Sequence, residues 1–278
     1  LEELEDEVRA EAFEHVAPDL AGQLAAAMSA DERADLFRAL PQPLAQKIFA
    51  RLPRDVAKDL RALLAWPEGT AGALMTTDYV SLDAEMSVAE AIERIRQIAE
   101  EMETIYYAYA VSPEGSLRGV VSLRSLVTAK SDRKVADVMD TEQLVTVRPT
   151  ADQEEVANMI SRYDLLAVPV VDDAGRMLGI VTVDDIVDVV EEEATEDVHK
   201  IAGITPLEES YFRSSFLQVV RSRAGWLIVL FIGQFFTGTA LRAYESSFSK
   251  VLSLVFFIPL IVSAGGNTGG QSASMLVR

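Results

Sequence analysis

The charge on this chain is segregated, and that segregation limits the folds open to it. Beyond residue 200 the only acidic residues are Glu208, Glu209 and Glu245. Residues 224–241 read AGWLIVLFIGQFFTGTAL, with Gln234 the only strongly polar side chain, and residues 251–277 are again almost uncharged. Either run is long enough to cross a bilayer core of about 30 Å. Arg213, Arg221 and Arg223 precede the first run, and Trp226 sits where an interfacial aromatic belongs. Basic residues mark the side that stays in the cytoplasm. The expectation is therefore a multi-pass protein of the cell (inner) membrane, with residues 1 to about 223 cytoplasmic and helices at about 224–243 and 251–277.

The soluble part is acidic: 44 Asp and Glu against 25 Lys and Arg give the 278 residues a net charge of −19. Such a surface repels phosphate, which argues against nucleic acid as a partner. There is no Cys, which excludes disulfides and thiolate metal sites and suits a reducing cytosol. His15 and His199 are the only histidines, too few for a His-based zinc centre. No P-loop or nucleophile elbow occurs, so no enzyme activity is expected. The N-terminus is acidic and amphipathic, unlike a signal peptide. A start at Leu1 rather than Met, and an end at Arg278 just after an apolar stretch, point to a piece of a longer chain.

Two internal repeats organise residues 1–190. The first has a period of twelve: Leu24, Leu36, Ile48 and Leu60 occupy one phase, and Met28, Leu40, Leu52 and Leu64 another. Pro41 and Pro53 follow the Leu positions, where Pro suits the first turn of a new helix. Ser29 with Glu32 has capping-box spacing. Short helices stacked as a small solenoid, within residues 1–66, are predicted. The second repeat spans about sixty residues. Leu74-Met75-Thr76-Thr77 recurs as Val138-Met139-Asp140-Thr141. A helical stretch follows each (87–101 and 152–163), then two Val- and Ile-rich runs joined at Gly115 or Gly175, then a short helix from Leu123 or Asp184. This β-α-β-β-α order predicts paired α/β modules at 70–133 and 134–190.

Between Asp184 and Asp197 stand eight carboxylates without one Lys or Arg: Asp184, Asp185, Asp188, Glu191, Glu192, Glu193, Glu196 and Asp197. Like charges three and four apart on a helix repel. Ile186, Val187, Val189, Val190, Val198 and Ile201 supply an apolar stripe beside them, so this helix is expected to pack against something rather than stand in solvent. A hard divalent cation, which prefers oxygen ligands, would relieve the repulsion. In the second apolar run, Pro259 removes a helical hydrogen bond. Four glycines between 265 and 270 allow close helix contact or local unwinding beside Asn267, Thr268, Gln271 and Ser272.

The Met-Thr/Asp-Thr starts, with Gly119-Val-Val-Ser122 and Gly179-Ile-Val-Thr182, resemble CBS domains. That resemblance implies a regulatory pair that binds adenine nucleotides or ions and often dimerises. In such domains an Asp three residues after the Ser or Thr can hold a ribose. Asp185 fits that position in the second unit, whereas Ser125 replaces it in the first. The order of parts from about Leu20 to Arg278, with Glu193-Ala-Thr-Glu-Asp-Val-His-Lys200 and Gly265-Gly-Asn-Thr-Gly-Gly-Gln-Ser-Ala273, resembles the MgtE magnesium channels.

The second resemblance implies an all-α N domain, an α/β CBS pair, a plug helix and linker over 191–210, and a transmembrane part from 211. It further implies a homodimer in a lipid membrane, with Mg²⁺ both transported and regulatory, and ATP a possible ligand at Asp185. Regulatory Mg²⁺ would bind between the CBS domains, plug helix and N domain and hold the pore shut. The matching acids are Asp152, Glu154, Asp164, Asp185, Asp188, Glu193, Glu196 and Asp197, with Asn267 bordering the pore. N-domain acids do not carry over, because Gly22 stands where one is expected. A membrane-tethered adenine-nucleotide sensor that regulates another transporter is the alternative.

Overall fold

The structure, a computed structural model, describes residues 4, 6–142, 144–201, 215–248 and 256–276. It forms two compact units, Leu1–Val190 and Glu191–Arg278. The first opens with five short helices: α1 (Asp6–Glu14), α2 (Pro18–Ala27), α3 (Ala30–Ala39), α4 (Gln42–Phe49) and α5 (Arg54–Leu63). Their first residues fall twelve apart, the period of the sequence repeat. Leu36, Ile48 and Leu60 of the first phase are fully buried, and Met28, Leu40 and Leu52 of the second are buried; Leu64, at the edge, is exposed. α1 packs on α3, α2 on α4 and α3 on α5, so each helix meets the next but one. Helices this short are marginal in water alone, and this stacking supplies their stability.

Two local expectations are corrected here. Ser29 does precede α3, but its side chain makes no capping bond. Glu32 is drawn instead to the buried guanidinium of Arg9, a charged partner stronger than a backbone N–H. Pro41 and Pro53 sit one residue before their helices, at φ near −54° and −52°, which the proline ring already favours.

The two α/β modules follow. The first comprises α6 (Ala71–Leu74), β1 (Tyr79–Asp83), α7 (Val88–Ile98), β2 (Thr104–Val111), β3 (Leu117–Ser122) and α8 (Leu123–Thr128). β1 pairs parallel to β2, and β2 antiparallel to β3. Ser87 and Glu90 close a full capping box on α7. The second comprises α9 (Gln153–Tyr163), β4 (Ala167–Val171), β5 (Met177–Thr182) and α10 (Val183–Ile201). Its third strand is reduced to one parallel bridge, Val147 to Val170.

The modules exchange their leading segments. Thr76, ahead of the first, pairs with Ile180 on β5 of the second, while Asp140, ahead of the second, pairs with Val120 on β3 of the first. This exchange explains two repeated motifs together. A Cβ on Gly119 would lie 2.8 Å from the Met139 sulfur and 2.9 Å from the Asp140 carbonyl. One on Gly179 would lie 2.5 Å from the Thr76 carbonyl. The Met of each motif thus needs the Gly of the other module. α6 also docks on the second module, through Ala71 N–H to Ala151 O and Gly72 N–H to Pro149 O, both at 2.8 Å. The core of the helical repeat therefore runs on into Met75, Val147, Val168 and Ile186.

In the second unit, α11 (Phe216–Ala243) opens with a Ser215–Gln218 capping box and is followed by α12 (Glu245–Phe248) and α13 (Ile258–Leu276). Among the described residues α11 alone is long and apolar enough to cross a membrane. α13 is diluted by its Gly, Asn, Thr, Gln and Ser residues. The linker over 202–214 and the expected start of the second apolar helix, 251–255, lie outside the described residues.

Candidate metal site and ligand cavity

The N-terminal end of α3 lies against the second module, where it brings an acid from the helical repeat to the head of α10. Asp31 is 5 % exposed, and its Oδ1 has no hydrogen-bond partner. Burial raises its carboxyl above the ordinary range; a bond from Ser29 opposes this, and Asp184 adds to it. Opposite stands Asp185, which accepts bonds from the Thr182 hydroxyl at 2.5 Å and the Thr182 N–H at 3.3 Å. Burial first, then the charge of Asp31, pushes Asp185 up to about 8. Asp31 therefore lies within electrostatic reach of half-buried Asp185 and of exposed Asp184. Such a pair must share a proton or recruit a cation.

Among the described residues no group of three Asp, Glu or His side chains closes tightly enough to cage a metal ion. Mg²⁺ does not require a cage, because it usually keeps several waters and is held by one or two carboxylates. The unpartnered Asp31 oxygen and the Asp185 carboxylate fit that demand. Sequence reasoning named Asp185 as a candidate and did not name Asp31. The available signal was Asp31 at the start of a predicted helix, which points its free N–H groups and an acid the same way. The expected site for an N-domain acid, Gly22, is instead a contact between helices: a Cβ there would meet the Cβ of Arg51 at 2.8 Å.

The remaining expected ligands are dispersed. Asp152 caps α9, accepting from the Glu154 N–H at 2.9 Å, and both side chains are exposed. Asp164 ends α9 in the left-handed conformation at φ 51°, and it too is exposed. Asp188 is exposed on α10. Glu193 and Asp197 are half-buried on the later part of α10, and the side chain of Glu196 lies outside the described residues. Asn267 lies exposed within α13.

A cavity of about 250 Å³ opens between the modules. Tyr107, Tyr109, Ser122, Ser125, Asp140 and Pro169 contribute to its walls. Ser122 and Ser125 share a 2.8 Å hydroxyl bond in the register where the second module has Thr182 and Asp185. Tyr109 is fully buried and stacks edge-on against Tyr79, and its hydroxyl lacks a partner. Ser125, which takes the place of the expected ribose-binding acid in the first module, lines this cavity. Asp185 is engaged by Thr182 and faces Asp31 instead.

A stacked-helix domain ahead of two modules that exchange segments, with acids and a cavity at the joints, defines a regulatory region built on a CBS pair. Family descriptions agree: residues 1–69 match the MgtE intracellular N domain, and residues 71–132 and 135–192 each match the CBS domain. The chain belongs to the MgtE magnesium transporter family. It is 38 % identical over 253 residues to the magnesium transporter MgtE of Thermus thermophilus, which covers 90 % of this chain and 56 % of that protein. It is 41 % identical over 222 residues to that of Enterococcus faecalis, covering 80 % and 48 %. The chain thus spans about half the length of these curated relatives. Among solved structures, the soluble part of a magnesium transporter superposes with a TM-score of 0.65 at 39 % identity, over 67 % of this chain and 72 % of that one. The cytosolic domain of the Mg²⁺ channel MgtE in complex with ATP gives 0.65 at 38 %, over 68 % and 77 %.

Proposed function

We propose that this chain is the cytosolic sensor and the first membrane-spanning part of a Mg²⁺-gated Mg²⁺ channel, with no enzymatic role. The observation that carries it is Asp31 within electrostatic reach of Asp185, with a buried oxygen that has no hydrogen-bond partner among the described residues. At low Mg²⁺ the pair depends on a retained proton alone, and α3 is held less firmly on the second module. At high Mg²⁺ a hydrated ion bridges them, and the packed arrangement gains the differential binding energy of that ion. Asp152, Glu154, Asp164, Asp188, Glu193, Glu196 and Asp197 add further weak sites, and several acting together steepen the response. The packed state shuts the pore that Asn267 borders, so uptake is limited once the cytosol is supplied. Residues 1 to about 223 face the cytosol, and the chain crosses the membrane more than once.

Limited proteolysis of the chain in detergent tests this. Millimolar Mg²⁺, but not Na⁺ at matched ionic strength, should slow cleavage within residues 64–70 and 184–200 in the wild type. Asp31→Asn should lose most of that protection at 64–70. Equal cleavage with both ions would rule the gating role out.

The orphan Tyr109 hydroxyl in the cavity favours a second, compatible reading, in which an adenine nucleotide binds against Tyr107 and Tyr109 and tunes the sensor. The ATP complex of the related cytosolic domain supports it. Titration calorimetry should then show heat from ATP that Tyr107→Ala abolishes. Absence of heat from ATP in the wild type would remove this second reading and leave the first.

A further inference from the structure

The turn from β3 into α8 lends Ser122 and Ser125 to the wall of the cavity between the modules. Both are half-buried. Their hydroxyls bond each other at 2.8 Å, and the Ser122 oxygen also accepts the Ser125 N–H at 3.0 Å, which caps α8. Leu126, next in sequence, is fully buried and holds that turn in place. At the same step of the second module a carboxylate, Asp185, answers the Thr182 hydroxyl. In the first module a hydroxyl answers a hydroxyl. The rest of the wall is Tyr107, Tyr109 and aliphatic side chains, apart from Asp140. Asp140 is committed to the exchanged segment. Its backbone pairs both ways with Val120, at 2.7 and 3.0 Å, and its Oδ1 accepts the Glu142 N–H at 2.9 Å.

The ribose of a nucleotide offers two neighbouring hydroxyl protons, which one carboxylate can accept together. Hydrogen bonds to a charged group are about twice as strong as those between neutral groups. A neutral hydroxyl that already has a partner gains little over water by accepting them. We infer, given that an adenine nucleotide occupies this cavity, that the first module recognises the ring and not the sugar diol, and that Ser125 sets this specificity. The tyrosines and the aliphatic wall offer stacking and burial to a flat base, whatever its sugar carries. The site takes adenine compounds with ribose, deoxyribose or dideoxyribose alike. Asp185, the carboxylate at this step of the repeat, is not among the residues that line the cavity.

Titration calorimetry of the chain in detergent, at one fixed MgCl₂ concentration, compares ATP with 2′,3′-dideoxy-ATP. The two share base and triphosphate, so metal binding by the phosphates cancels. The wild type should bind both with dissociation constants within about threefold, the scale of a neutral hydrogen bond exchanged with water. Ser125→Asp should introduce a difference, favouring ATP by roughly tenfold or more, the scale of charge-assisted bonds. A wild type that prefers ATP by more than about threefold would overturn the sugar blindness and leave the nucleotide reading standing. Equal affinities in a folded Ser125→Asp chain would overturn the assignment to Ser125. Heat from neither ligand in the wild type would remove the nucleotide reading itself, and the specificity with it. If Ser125→Asp does not fold, the two wild-type titrations decide alone.

Discussion

Gly179 shows how a single position carries the arrangement of both modules. Its missing Cβ leaves room for the Thr76 carbonyl, which would otherwise sit at 2.5 Å. The bond Thr76 N–H to Ile180 O, at 2.9 Å, depends on that approach. Gly179→Ala is expected to destabilise the chain by about 1–3 kcal/mol, the usual cost of overpacking against atoms that cannot move aside. A Gly115→Leu chain would be the wrong control, since Gly115 holds φ +85°. Thermal unfolding of Gly179→Ala against wild type checks the expectation, and an unchanged midpoint would mean that the exchanged segment can retreat without loss.

At the scale of elements, the buried head of α10 has a pH signature. Asp185 holds its proton up to about 8, well above the ordinary carboxylate range, chiefly through burial. The folded state therefore binds this proton more tightly than the unfolded chain does. Its stabilising effect is complete below the unfolded value, near 4, and is lost as pH rises toward 8. In EDTA, urea midpoints should fall between pH 5 and pH 8, and Asp185→Asn should flatten the trend. Mg²⁺ should restore stability at the alkaline end, where the ionised pair is available to it. A midpoint that rises over this range in EDTA would contradict the burial of Asp185.

For the molecule as a whole, the internal repeat leaves matching apolar pairs on the surface. Tyr106 and Val127 on the first module are exposed, as are Leu166 and Val187 at the equivalent places on the second. A face that shows the same pair twice suits a second copy of itself, since an isologous contact matches each pair to its counterpart. A homodimer, which the family resemblance implies, is expected to use this face. Val127→Glu with Val187→Glu should shift the chain to monomer in sedimentation experiments, with the fold unchanged by circular dichroism. A dimer that survives both changes would place its interface elsewhere.

Much of the architecture was legible before any coordinates. The twelve-residue phases of Leu and Met marked the helix starts, because a short helix must bury one stripe. The recurring Met-Thr/Asp-Thr and Gly-Val-Val-Ser strings marked the α/β pair, because each string repeats a backbone contact. The acidic run and the apolar helix separated a charged part from a membrane part on solvation grounds alone. What the sequence could not disclose is which segments cross over. Thr76 and Asp140 each pair with the opposite module, a non-local choice that periodicity does not encode. The same holds for Asp31 and Arg33 near the start of α3 and for Asp78 just before β1, whose local sequence looks like ordinary solvated surface. Only tertiary packing removed their water, and removal of water is what makes an ordinary charge hold a proton or seek a counter-ion.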